Sequence, residues 1–138
     1  MTDARALFHL RQAVERLERE GGPTIDVAGQ QIACATIFET SRSQAAVFRL
    51  RPGQRIPAHT HSHIDDIFFC IGGRGRIRTW DVDGAAHDHP IEPDTLFLVR
   101  PGTPHEVSCA GDEFSYVLLQ SPREQYDSYH YVPADVPS

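Results

Sequence analysis

The chain opens with a helical period and then abandons it. Leu7, Leu10, Val14 and Leu17 recur at three- and four-residue steps, which puts them on one face and predicts an amphipathic helix over residues 3–20. Thr2 or Asp3 can cap its start, because a short side-chain oxygen accepts from the first unpaired backbone N–H groups. Gly21-Gly22-Pro23 ends it: glycine supplies a left-handed cap and proline cannot continue the helix. From Thr24 to about Gln120 the pattern becomes short β-branched or aromatic runs, at 31–39, 45–50, 66–71, 76–80, 95–99, 106–109 and 114–120. Turn signals separate them: Pro52-Gly53, Gly72-Gly73-Arg74-Gly75, Asp83-Gly84, Pro101-Gly102 and Gly111-Asp112. Many short strands with no second helical pattern predict an all-β sandwich or barrel. After Ser121-Pro122 come Tyr126, Tyr129, His130 and Tyr131, then Pro133 and Pro137, an extended arm whose aromatics dock it on its own barrel or on a neighbour. The expected organisation is a helix over 1–22, a barrel over 23–121 and an arm over 122–138, in one domain overall.

Composition narrows this picture more than it extends it. A chain of 138 residues buries roughly two thirds of its unfolded surface, enough for a core without disulfides. With 23% charged and 40% hydrophobic residues the chain has globular composition. No apolar run approaches the ~18 residues that span a bilayer. The stretch Ile67-Phe68-Phe69-Cys70-Ile71 has strand length. Cys34, Cys70 and Cys109 are widely spaced and odd in number, which fits reduced thiols and excludes a disulfide scaffold or zinc ribbon. With no apolar signal-peptide core near Met1, the expected location is cytoplasmic. The net charge of -6 has no basic block within it, so neither nucleic acid nor an anionic membrane is expected as a partner. All 13 basic residues are arginine, which excludes lysine chemistry such as a Schiff base.

The candidate chemistry lies in the histidines. In His59-Thr60-His61-Ser62-His63-Ile64-Asp65-Asp66, residues two apart on a strand share a face, so His59 and His61 present two imidazoles to one side. Two imidazoles beside a carboxylate suit a borderline transition metal that needs one more ligand. Pro101-Gly102-Thr103-Pro104-His105 supplies a lone histidine on a rigid turn at the start of a strand. Three histidines, with or without a carboxylate, leave coordination positions open, the arrangement of a catalytic metal. His87 and His89 repeat the H-x-H spacing in a polar segment after Trp80, which is expected to be a solvated loop.

Together these residues resemble the two motifs of the cupin superfamily, over roughly residues 47–120. Gly53, His59, His61, an acid and a glycine match the first motif. Both acids fit the spacing, Asp66 leading to Gly73 and Asp65 to Gly72, and Asp66 matches the family's acid-acid-aliphatic-aromatic-aromatic run better. Pro101-Gly102-Thr103-Pro104-His105 matches the end of the second motif. Pro93-Asp94 stands where Gly-Asp is usual, with one extra residue before the turn, which predicts a local bulge. Cupins usually place glutamate where this chain has aspartate. The shorter side chain leaves two outcomes open, direct ligation or contact through water as an outer partner.

The resemblance implies an antiparallel jelly-roll barrel with an N-terminal helix outside it. It also implies one divalent transition metal held by His59, His61, Asp66 and His105: iron (Fe) first, with Mn, Ni, Zn or Cu as alternatives. The implied activity is a small dioxygenase whose substrate coordinates the metal. The alternatives are a non-oxidative isomerase, lyase or cyclase using the metal as Lewis acid, and a small-ligand-binding protein without chemistry. His63, Asp65 and Tyr116 are the candidate proton-transfer groups. Phe48, Phe68 and Phe97 are expected to line the substrate pocket, with Cys70 and Gln120 sharing strand parity with inward positions and Arg49 available to hold an anion. The helix and the aromatic arm leave more apolar surface than a small monomer usually exposes, which predicts a homodimer.

Overall fold

The structure, a computed structural model, describes residues 6–122 and 129–131. Helix α1 spans Leu10–Glu18, shorter than the periodicity predicts. His9 at its N-cap is extended (φ -97°, ψ 102°) and makes no side-chain cap bond. Phe8 stacks on Phe38 at 5.5 Å, and this contact takes the chain off the helical path while Leu7 stays 71% exposed. The predicted cap at Thr2 or Asp3 lies outside the described residues. Val14 and Leu17 are buried against Val47, with Ala33, Ala35 and Ile37 beside them.

Nine strands follow among the described residues: β1 Thr24–Val27, β2 Gln30–Glu39, β3 Gln44–Leu50, β4 Arg55–His61, β5 Asp65–Trp80, β6 Ala86–Ile91, β7 Leu96–Val99, β8 His105–Ser121 and β9 Tyr129–Tyr131. β5 and β8 each join two of the predicted runs, and they pair antiparallel from Asp65↔Ser121 to Thr79↔His105. The predicted turn at Gly72-Gly73-Arg74-Gly75 is therefore a bend inside β5, with register shifts on either side of Gly72-Gly73. Gly111-Asp112 likewise lies inside β8. Glycine is needed at the bend. Gly73 has φ 71°, and a Cβ there would strike the Glu113 carbonyl, as one at Gly75 would strike the Phe114 ring.

Bent in this way, β5 and β8 contribute to two layers. One runs β1, β2, β3, the second half of β8, the first half of β5, then β7. The other runs β9, β4, the first half of β8, the second half of β5, then β6. The result is an antiparallel jelly roll whose strands do not close into a ring. Ile32, Leu50, Phe68, Ile77, Val107, Phe114 and Tyr116 fill the space between the layers, and α1 packs outside on β2 and β3.

One local expectation is corrected and another holds. His87 and His89 lie on β6, an edge strand rather than a loop. The extra residue near Pro93-Asp94 makes the expected local bulge. Asp94 takes φ 67°. Its N–H donates to the Cys70 carbonyl at 3.1 Å while the Cys70 N–H donates to the Thr95 carbonyl at 3.1 Å, so two residues oppose one, and the Thr95 N–H donates to the Glu92 carbonyl at 3.3 Å. Part of the expected arm forms β9 and pairs with β4. Whether His130 closes over the pocket lies outside the described side chains.

Candidate metal centre

Backbone features bring four side chains together from three strands. Pro57 has no N–H to donate, and β4 shifts register between Ile56 and His59. Ala58 and His59 are consequently both buried, and the restored alternation buries His61 as well. The Pro57 carbonyl accepts from His59 Nδ1 at 2.7 Å. His105 opens β8 after a turn in which Gly102 has φ 80°. The Gly102 N–H donates to the His61 carbonyl at 2.7 Å, which ties that turn to β4 beside the first two histidines. The Thr103 carbonyl accepts from His105 Nδ1 at 2.9 Å. Asp66, on the inward parity of β5, is 1% exposed.

One ligand atom from each of His59, His61, Asp66 and His105 lies within 4.8 Å of the others. Asp66 Oδ2 is 3.1 Å from His105 Nε2 and 3.3 Å from His61 Nε2. Donors bound at about 2.0–2.2 Å to one ion sit about 3.0–3.5 Å apart, so these separations are those of neighbouring ligands. The protons support the same fit. A carbonyl only accepts, so His59 and His105 carry hydrogen on Nδ1, which directs Nε2 of each, once unprotonated, to serve as the metal donor. His105 Nε2 lies 3.1 Å from a carboxylate oxygen, a contact that takes either a proton on Nε2 or a metal ion between the two atoms. The residues fit a divalent metal, and aspartate reaches far enough to ligate directly.

Burial pushes the Asp66 carboxyl up, but its bonds to His105 and His61 outweigh that and hold it well below the usual carboxylate range. Burial, with His105 close by, lowers His59 from 6.5 to about 3. The site therefore keeps an anion and a neutral imidazole, the forms that bind metal.

Beside the cluster lies a cavity of about 360 Å³. Phe48, Phe68, Tyr116, Leu118 and Ile56 form much of its wall, with Gln44, Gln120, Thr36 and Cys34 as polar positions. Phe48 and Tyr116 stack at 5.2 Å. Several predicted pocket residues lie elsewhere. Arg49 does not line the cavity; its Nε donates to Glu113 Oε2 at 2.7 Å. Cys70 is fully buried in the core, its thiol donating to the Gly72 carbonyl at 3.6 Å. Phe97 packs on His89 at 4.7 Å between ring centroids. Of the candidate proton-transfer groups, Tyr116 lines the cavity, His63 is exposed in the turn after β4, and Asp65 has the outward parity of β5. Sequence reasoning missed Cys34, Thr36 and Gln44. Their signal was shared parity with the inward face of β2 and β3. Burial raises the Cys34 thiol to about 12, so it stays protonated.

The fold is thus a jelly roll enclosing three histidines and an acid that could hold a metal ion beside a cavity. The cupin domain family model matches residues 46–120, more than half of the chain. The chain belongs to the cupin family. No curated protein matches it. Among solved structures, it resembles a conserved protein with a double-stranded β-helix domain from Klebsiella pneumoniae subsp. pneumoniae MGH 78578, at 19% identity and TM-score 0.67, covering 94% of this chain and 100% of that one. KdgF from Halomonas sp. matches at 18% identity and TM-score 0.61, over 69% of this chain and 83% of that one. A Bacillus subtilis oxalate decarboxylase with Mn(II) centres matches at 18% identity and TM-score 0.61, over 74% of this chain and 28% of that longer one. These likenesses are of fold.

Proposed function

We propose that this protein is a metal-dependent cupin dioxygenase acting on a small organic substrate that coordinates the metal. The observation that supports it is the convergence of His59, His61, Asp66 and His105 beside a cavity walled mainly by apolar side chains. These four residues would hold one divalent transition ion, iron first, and leave positions open for substrate. When bound, the ion supplies Lewis acidity and, as iron, one-electron chemistry with dioxygen. The rest falls to the chain's own residues. Phe48, Phe68, Tyr116 and Leu118 hold the apolar body of the substrate and exclude water. The Pro57 and Thr103 carbonyls fix the rings of His59 and His105. Tyr116 is placed to hold or move a proton in the cavity.

The test is elemental analysis of the purified protein, followed by oxygen uptake with diketones, catechols, flavonols and thiols. Dioxygenase chemistry consumes oxygen in step with substrate. A second reading, a non-oxidative lyase or isomerase, draws on Tyr116 in the cavity wall and on the fold shared with the oxalate decarboxylase. Turnover without oxygen uptake selects it, and ligand binding without turnover selects a sensor. We also propose a cytoplasmic homodimer. No described helix is long and apolar enough to cross a membrane. Leu96 and Leu98 on β7 are 68% and 51% exposed. Light scattering at micromolar concentration is expected to give about twice the 15.4 kDa chain mass.

A further inference from the structure

We infer that Gln120 and Gln44 are positioning residues that hold Asp66 as a one-oxygen donor to the bound ion. The three residues form a row across three adjacent strands. Gln44 on β3 is the register partner of Gln120 on β8, and Gln120 is in turn the register partner of Asp66 on β5. Side chains in such a row point to one face and touch their neighbours, here on the cavity side. Gln120 Nε2 donates to Asp66 Oδ1 at 2.9 Å. Gln44 Nε2 donates to Gln120 Oε1 at 2.8 Å.

The polarity of this chain is set at one end. An ionised carboxylate only accepts, so the amide nitrogen of Gln120 must face Asp66. Its oxygen then faces Gln44, which must present its own nitrogen. Asp66 Oδ1 is thereby occupied, while Oδ2 faces His61 Nε2 and His105 Nε2. Without Gln120, Oδ1 could turn to the ion and make the carboxylate bidentate. The row also joins the ligand to the cavity wall, since Gln44 and Gln120 both line the cavity. Gln120 is 6% exposed, so its amide has little water to replace the partners.

This inference rests on the metal reading proposed above, and its test separates the two. Cobalt(II) is titrated into the metal-free protein against a competing chelator, and the visible spectrum of the loaded protein is recorded. Gln120→Leu is expected to weaken cobalt binding about 10–100-fold and to change the visible bands as the second oxygen joins the ion. Gln44→Glu is the sharper variant. Its carboxylate accepts from Gln120, so the Gln120 amide turns over and its oxygen faces Asp66. Cobalt binding is expected to weaken, although an added negative charge acting only at a distance would tighten it. A purely packing role predicts no loss from this isosteric change. If Gln120→Leu does not fold in a metal-free melt, Gln44→Glu and Gln44→Met, at a half-buried wall position, carry the test. Wild-type protein that binds no cobalt overturns the metal reading and this one with it. Wild-type protein that binds it, with variants within about twofold in affinity and unchanged in spectrum, overturns this inference alone.

Discussion

The chain contains the pattern H-x-H twice on strands, and the two copies behave differently. His59 and His61 are 4% and 3% exposed and converge with Asp66 and His105. His87 is exposed on β6, with Nε2 donating to Asp81 Oδ2 at 3.1 Å. His89 Nε2 lies 3.0 Å from Thr79 Oγ1, and Asp88 between the two histidines is held by Arg78 at 2.6 and 3.0 Å. Spacing gives both pairs a common face. What distinguishes them is what the neighbouring strands bring to it. β4 pairs with β8, which brings His105 to the first pair, and the inward acid Asp66 reaches it from the first half of β5 in the other layer. β6 pairs with β5 alone, and its partners there offer Thr79 and Ile77. A metal motif is thus a property of three strands, which two residues of one strand only begin to define.

The largest expected effects fall on the groups that make the first pair a site. His105→Ala and Asp66→Ala are each expected to weaken metal binding by more than about 100-fold, above the 10–100-fold typical of an outer partner. Asp65→Ala is expected to change it by less than about twofold. The metal-free melting temperature of His105→Ala should stay near that of the metal-free wild type, because the barrel has its own core and does not depend on metal-binding energy to fold. Elemental analysis beside the two melts checks this. An unfolded variant beside a folded metal-free wild type would make His105 a packing residue.

Acid provides a second, smaller test of the buried pair. The folded protein holds His59 at about 3, while an unfolded chain titrates near 6.5. Between those values the unfolded chain binds more protons, so stability falls as pH falls, by at most about 1.4 kcal/mol per pH unit from this group. Asp66 is held low in the folded state, so its contribution is present above the ordinary carboxylate range and is lost as pH falls below it. Metal-free melts from pH 7 to 4 are expected to show the decline, and His59→Gln should flatten its upper part. Bound metal should be lost over the same window, since imidazole must be neutral to ligate.

How much of this the sequence carried depends on the range of each interaction. His59, His61 and His105 were legible because strand alternation and a Pro-Gly turn act locally. Asp66 was legible only as the better of two neighbours, and its parity in β5 separates it from Asp65. Parity says that a side chain points inward, not at which depth. Phe68 therefore lies at the cavity, whereas Cys70, two residues further along the same strand, lies in the closed core. Gly72 to Gly75 looked like a turn, and only the long pairing of β5 with β8 makes it a bend. Arg49 met Glu113, 64 residues away, and Gln44 met Gln120, 76 residues away. No local pattern encodes such partners; they follow from which strands become neighbours.

The smallest expected effect tests the comparison most directly. If spacing alone made a site, the double variant His87→Ala/His89→Ala should lose metal or metal selectivity. If the flanking strands make it, metal content and affinity should match the wild type within about twofold. The double variant removes the hydrogen bond that helps hold Asp81 below its usual range and the contact of His89 with Phe97. Both lie at an edge strand, where substitutions move stability little, so the melting temperature should shift by no more than about 3 °C. The informative version adds what β6 lacks. Thr79 and Ile77 are the register partners of His87 and His89 on β5, and Thr79 already contacts His89. Thr79→His in the wild-type background therefore places a third imidazole beside the second pair. It is expected to give one additional, weak and chelator-labile metal per chain, on top of the tightly held ion. A second tight ion in the unaltered protein would show that the exposed pair needs no third strand, and the contrast between the two pairs would fail.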